Sequence, residues 1–335
     1  MSLPSVAISL GDPAGIGPEI VAKALSGELP ARCVVYGDAR LVEKAASMAG
    51  LSLKIHGISR VQEAAWAPGT VEVVDLANAP FSSFEPGKVQ ALCGRAAWEC
   101  VEAAAAAAMK GEVDALDTAP INKEAIRAAQ LPFIGHTEML ESISASPDPL
   151  TMFETLGLRV FFLSRHVSLR RACELVTAER ILDYIGRCID ALGRLGVRGG
   201  ELAVAGLNPH CGEHGLFGDE EARAIEPAVR IARERGYRVV GPIGPDSVFH
   251  QAKQGRYAAV LSLYHDQGHI ATKTLDFDRT ISLTLGLPFL RTSVDHGTAF
   301  DIAWKGLASP ISMEESIKVA ARYALAYKAS AGPKA

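Results

Sequence analysis

The stretch Val6-Ala7-Ile8-Ser9-Leu10, followed by Gly11-Asp12-Pro13-Ala14-Gly15-Ile16-Gly17-Pro18-Glu19, decides the fold. A short apolar run suits a buried strand, and the glycines after it suit a tight turn. Pro18 then stands where a helix would begin, because its fixed φ and missing N–H cost nothing at the first helical position. Strand, turn and helix in that order are the first half of a βαβ unit. The alternation continues along the chain. Cys33 to Tyr36, Val71 to Val74, Leu158 to Leu163, Leu202 to Leu207 and Ala258 to Leu263 have strand character. Residues 39–49, 88–110, 168–195, 219–235 and 313–331 have helical period, and the Ala103–Ala108 run favours helix because alanine is the best helix former. The pattern predicts a parallel, three-layer α/β/α protein.

The segments just after the strands are chemically richer than those just before them. The first strand enters the glycine turn, the run near Val113 to Leu116 enters Thr118-Ala119-Pro120-Ile121-Asn122-Lys123, and Val160 to Leu163 leads to His166. Leu202 to Leu207 leads to Asn208-Pro209-His210, and Ala258 to Leu263 to Tyr264-His265-Asp266-Gln267-Gly268. Open α/β sheets bind ligands beyond the carboxyl ends of their strands, so these segments point to one composite site.

Composition narrows the function classes. In 335 residues, 48% hydrophobic, 34 basic side chains stand against 38 acidic ones, which leaves no global positive field for nucleic acid or an anionic membrane surface. Any phosphate must be held locally. The six cysteines form no C-x-x-C pair, the first ten residues lack the pattern of a leader, and no run is long enough to span a bilayer, so a cytoplasmic setting is expected. The length predicts two domains.

Each candidate motif has a bland counterpart. Gly15-Ile16-Gly17 lacks the third glycine of the dinucleotide fingerprint, so the turn either faces an anion or cofactor with its free N–H groups or is only a tight turn. His166, His210 and His265 are suitable ligands for a divalent ion, with one position left open for water or substrate, although a lone histidine is more often structural. Gly135-His136-Thr137-Glu138 could hold a phosphate or carboxylate, or could merely start a helix with Thr137 as cap. Lys273, Arg279 and Arg291 are either solvated or partners of an anionic substrate. Asp295 to Gly306 has the character of a binding loop, and Asp117 is an acid where a buried strand would favour an apolar residue.

Together GDPAGIGPE (11–19), TAPINK (118–123), GHTE (135–138), the His166 region, NPHCGE (208–213), YHDQGH (264–269) and LGLPFLRTSVDHGTAFDIA (285–303) resemble the 4-hydroxythreonine-4-phosphate dehydrogenase family. The match runs in order along nearly the whole chain. It implies an isocitrate/isopropylmalate-dehydrogenase-like fold whose two domains flank an active-site cleft, with residues 1–130 and 280–335 in one and 131–279 in the other. It also implies a homodimer with a divalent ion (zinc, magnesium or cobalt) held by His166, His210 and His265 drawn from both subunits. His136, Thr137, Lys273, Ser282 and Arg291 are implied as substrate contacts, and Gly11, Asp12, His296, Asp301 and Ile302 as contacts of NAD. A carboxylate at Asp301 would accept from the ribose hydroxyls and repel a 2'-phosphate, favouring NAD over NADP.

The implied reaction oxidises a secondary alcohol β to a carboxylate, with NAD as hydride acceptor, and the keto acid then loses carbon dioxide. Asp266 and Lys273 are the candidate bases. The first expectation for substrate is 4-phosphooxy-L-threonine, giving 3-amino-2-oxopropyl phosphate as in pyridoxal phosphate biosynthesis. The alternatives are 4-phospho-D-threonate or 4-phospho-D-erythronate, an aromatic cis-dihydrodiol carboxylate, or a non-redox phosphate acyltransferase chemistry. Ser282 bears on this choice, because it stands where the family usually has asparagine.

Overall fold

A computed structural model describes residues 3–330. The chain divides into two compact units, the first running to Pro149 and resuming at Ile281, the second spanning Leu150–Thr280. The protein is mixed α/β, with helices on both faces of its sheet strands.

The first unit contains β1 (Ser5–Ser9), α1 (Gly17–Ala24), β2 (Arg32–Gly37), α2 (Ala39–Met48), β3 (Lys54–Ile58) and β4 (Thr70–Asp75). After these come α3 (Ala91–Met109), β5 (Ala115–Thr118), α4 (Lys123–Ala128) and α5 (His136–Ser144). The chain returns to this unit with β11 (Ile281–Leu285), β12 (Leu290–Val294) and α11 (Ile311–Ser330). Its strands lie in the order β3-β4-β2-β1-β5-β12-β11. Ala7, Val34 and Leu116 face α3 and α5 with Met139 and Leu140 in one apolar core, while Asp117 points the other way and meets Ser316 of α11. Both faces of β1 and β5 are therefore covered, which explains why every residue of the two strands except the half-buried Ser5 is buried.

The second unit contains β6 (Leu150–Thr155), β7 (Leu158–Phe162), α6 (Leu169–Glu174), α7 (Ala178–Arg194), β8 (Leu202–Ala205), α8 (Glu226–Glu234), β9 (Val239–Ile243), α9 (Val248–Lys253), β10 (Ala259–Ser262) and α10 (His265–Leu275). The strand order is β6-β7-β10-β8-β9.

Several expectations need correction. The first crossing between units falls after Pro149 rather than residue 130, because α5 buries Met139 and Leu140 in the core of the first unit. His136 and Thr137 thus belong with the N-terminal strands. The sheet is not wholly parallel, since β6–β7 and β11–β12 are antiparallel hairpins. Their connections are too short for the crossover that a parallel pair needs. The single helix expected over 168–195 is broken at Leu175–Thr177, where the Thr177 hydroxyl accepts from Arg180 N and starts α7 afresh.

Candidate active site

In the first unit, Arg291 on β12 lies opposite Thr284 of β11 and next to β5. Its buried guanidinium donates through Nη2 and Nε to Thr118 Oγ1 at 2.6 and 3.1 Å, and through Nη1 to Thr284 Oγ1 at 3.0 Å. Ser282 and Ser293 are cross-strand partners on the same pleat face, and Ser293 Oγ accepts from Thr118 Oγ1 at 3.0 Å. His136 opens α5 nearby. Its Nε2 is buried with no partner among the described residues, and burial, followed by the Arg291 charge, holds the imidazole well below its usual value. A neutral ring and a guanidinium set among hydroxyls have the chemistry to hold an anion, which would accept from Nε2 in the tautomer that carries the proton there and face the fixed charge. Thr137 lies in the first turn of α5 and does not cap it; Gly135 is the cap residue, and Glu138 Oε2 accepts from Gly135 N at 3.0 Å.

The N-terminal glycine turn is closed. Asp12 N donates to Pro120 O, Ala14 N to Asp12 Oδ1, Gly15 N to Asp12 O, and Ile16 N to Thr298 O. Gly11 adopts φ +75°, and a Cβ there would lie 2.4 Å from Pro120 O. Gly11 and Asp12, which the resemblance implies as dinucleotide contacts, are buried within this bonded turn. Burial pushes the Asp12 carboxyl up to about 6. The loop after β12 is anchored on the same turn, with Trp304 Nε1 donating to Pro13 O at 2.8 Å. It leaves Asp301 exposed and His296 and Ile302 half-buried. An exposed carboxylate on an anchored loop fits the ribose hydroxyls of a dinucleotide.

In the second unit, His166, His210 and His265 come after β7, β8 and β10, three neighbouring parallel strands. The structure brings two of them together. His166 and His265 line one hollow of about 270 Å³ with Arg165, Tyr264 and Asp266, their ring centres 5.9 Å apart. His210 lines another hollow, of about 240 Å³, with Cys211, His214 and Glu221. Among the described residues of the single chain, no cluster of three or more His, Cys, Asp or Glu is disposed to hold a metal ion. One chain by itself therefore gathers two of the three histidines at one hollow and the third at another.

The chemistry of that set nonetheless fits a divalent ion. Asp266 Oδ1 lies 2.7 Å from His265 Nδ1, an arrangement that keeps the proton on Nδ1 and leaves Nε2 a lone pair, as in metal-binding histidines. His269, one turn along α10, stacks on His265 at 3.6 Å with its Nδ1 2.8 Å from His265 O. Lys273 continues this four-residue spacing, its Nζ 5.0 Å from the Phe277 ring centre. Arg279 instead pairs with Asp276 at 3.0 Å. Val167, Leu169, Leu216, Phe217, Ile270 and Phe277, which neighbour the three histidines in sequence or lie along α10 and just past it, are all exposed.

Sequence reasoning missed Thr118 and Thr284 as partners of Arg291, His269 behind His265, and the buried Glu221, whose Oε1 accepts from Asn208 N at 2.8 Å just before His210. His269 was legible from its i, i+4 spacing to His265, and Thr284 from its alternation with Ser282. Glu221 had no local signal.

Residues 30–320 match the model of the family described as pyridoxal phosphate biosynthetic protein PdxA. A relative from Fusobacterium nucleatum, named "Putative D-threonate 4-phosphate dehydrogenase", is 58% identical over 96% of this chain and 98% of its own length. The crystal structure of 4-hydroxythreonine-4-phosphate dehydrogenase from Klebsiella pneumoniae superposes with a TM-score of 0.90 at 42% identity, covering 96% of this chain and 98% of that one. A terephthalate 1,2-cis-dihydrodiol dehydrogenase from Burkholderia xenovorans gives 0.66 at 30% identity, over 97% and 98% of the two chains. The chain belongs to the PdxA family of dehydrogenases.

Proposed function

We propose that this dehydrogenase oxidises the 3-hydroxyl of 4-phospho-D-threonate with NAD and a divalent ion, and that the product loses carbon dioxide. The observation that supports this most is Ser282, set on the face that carries Arg291 and Thr284. A serine hydroxyl can both donate to and accept from a hydroxyl at C2 of the substrate, in place of the amide that the family usually has there. The name of the 58%-identical relative favours the same substrate. On this proposal the acid-sugar alternative is preferred to the first expectation, 4-phosphooxy-L-threonine.

His166 and His265 of one copy, with His210 of a second copy, would hold the ion, and the exposed apolar side chains near all three support that pairing. When bound, the ion supplies Lewis acidity and NAD the hydride acceptor. His136, Thr137 and Arg291 bind an anionic end of the substrate, the neutral imidazole donating while the guanidinium carries the charge. Asp301 accepts from the ribose hydroxyls. Asp266 is occupied in orienting His265, which makes Lys273 the better proton carrier for the C3 hydroxyl. Bound NAD would accept the hydride from C3, and Lys273 would take the proton of the C3 hydroxyl. The new ketone is β to the carboxylate, so the C1–C2 bond breaks into it, giving carbon dioxide and, after protonation at C2, dihydroxyacetone phosphate.

Absorbance at 340 nm, with NAD and magnesium, zinc or cobalt, tests the assignment against 4-phospho-D-threonate, 4-phosphooxy-L-threonine and unphosphorylated D-threonate. The expected order places 4-phospho-D-threonate first by kcat/KM. A higher value for 4-phosphooxy-L-threonine would return the protein to the amino-acid substrate.

A further inference from the structure

The chain from His210 to His214 has an unusual backbone. His210, Cys211, Gly212, Glu213 and His214 have φ of 49, 57, 78, 44 and 55°, a left-handed turn in which four of five residues carry a side chain. Each such residue costs roughly 1–2 kcal/mol, so the turn persists only if its surroundings impose it. Glu221 lies directly against it. Its carboxylate, 2% exposed, accepts from Leu207 N and Asn208 N through Oε1, both at 2.8 Å, and from Asn208 Nδ2 through Oε2 at 2.9 Å. Asn208 Nδ2 also donates to Glu220 Oε2 at 2.7 Å. A Cβ at Gly212 would stand 3.0 Å from Glu221 Oε2 and 2.8 Å from Gly218 O, so the glycine lets the turn close over the carboxylate. Glu221 itself begins a π-helical turn, Glu221–Ile225, a local irregularity frequent at functional sites.

We propose that Glu221 is a positioning residue, its buried carboxylate clamping the chain beyond β8 so that the left-handed turn holds the exposed His210 ready to complete a divalent-ion site with a second copy. The inference rests on the proposed role of His210 as a ligand. Glu221 touches neither ion nor substrate in this role. It fixes the direction of the ligand, as outer-sphere partners of metal sites do, and loss of such a partner typically weakens metal affinity about 10–100-fold. Glu221→Gln keeps size and burial but turns an amide donor toward Asn208 Nδ2, which breaks the clamp without opening a cavity.

The test is Co²⁺ titration of the metal-free, full-length protein by calorimetry and visible absorption, for wild type, Glu221→Gln, Asn208→Ala and His210→Ala, with melting temperature and sedimentation measured alongside. The expected result is no Co²⁺ binding by His210→Ala, about 10–100-fold weaker binding and an altered cobalt spectrum for Glu221→Gln, and a smaller loss for Asn208→Ala. If Glu221→Gln does not fold, the graded loss in Asn208→Ala carries the test alone. Should His210→Ala lose the ion while the clamp variants bind it as wild type, with only a lowered melting temperature, Glu221 is structural and the inference is overturned. Unchanged Co²⁺ binding by His210→Ala overturns the ligand assignment itself, and the inference with it.

Discussion

Asp117 is fully buried on β5, where it accepts from Ser316 Oγ of α11 at 2.6 Å through Oδ1, while Oδ2 has no hydrogen-bond partner among the described residues. Burial pushes its carboxyl up to about 6, against about 3.9 in an unfolded chain. The folded state thus binds this proton more tightly, so the contribution favours folding below about pH 4 and is lost as pH rises through 6. Asp117→Asn keeps the acceptor for Ser316, and its amide can donate to Thr292 Oγ1, which is also unpartnered on the neighbouring strand. The variant is expected to be more stable than wild type at pH 7.5 by up to about 3 kcal/mol, with the gain vanishing near pH 4. Melting curves across that range check it, and a gain independent of pH would show that charge burial is not the cause. Asp301 supports a second residue-scale prediction. Its exposed carboxylate should favour NAD over NADP by roughly tenfold or more in kcat/KM, and Asp301→Ala should narrow that ratio. An equal ratio in wild type would remove the carboxylate from the cofactor's ribose.

At the scale of elements, α3 and α4 approach until backbone touches backbone. A Cβ at Gly94 would lie 2.0 Å from Ala125 O and 2.7 Å from Ile126 N. Replacing an internal helix glycine by alanine ordinarily gains about 1 kcal/mol. Here the clash with main chain outweighs that gain, and Gly94→Ala should destabilise the protein by about 2–3 kcal/mol, read as a lower denaturant midpoint. A raised midpoint would mean that α4 moves aside freely. The elements most legible in the sequence were those with strong periodicity, such as β1, β2 and α2, whose observed ends lie within two residues of the expected ones. Less legible were β3, an edge strand that alternates with polar residues, and α10, whose first turn is so polar that it resembled a loop. In both, exposure on one side weakens the apolar signal from which an element is recognised.

For the whole molecule, the proposed function assigns the separated histidines and the exposed apolar side chains that neighbour them in sequence to one interface between copies. Leu216 and Phe217, 72% and 50% exposed, come directly after the turn that carries His210. If this surface is covered by a second copy, the double substitution Leu216→Asp with Phe217→Asp should yield a monomer by sedimentation and abolish retention of the divalent ion, while leaving the melting temperature of the metal-free monomer nearly unchanged. A dimer that still retains metal would place the interface elsewhere.

By itself the sequence determined the alternation of strands and helices, the gathering of polar motifs at strand ends and the family, because periodicity and ordered motifs are local properties of the chain. Only the tertiary structure decided which of those motifs meet. Arg291 finds its hydroxyl partner Thr118 across 173 residues, Asp117 finds Ser316 across 199, and Leu207 finds Glu221 across 14. It also decided that α5 stays with the first unit and that His210 stands apart from His166 and His265. These outcomes depend on hydrogen bonds and burial between distant residues and on a left-handed turn that intrinsic propensity opposes, so no local pattern announces them.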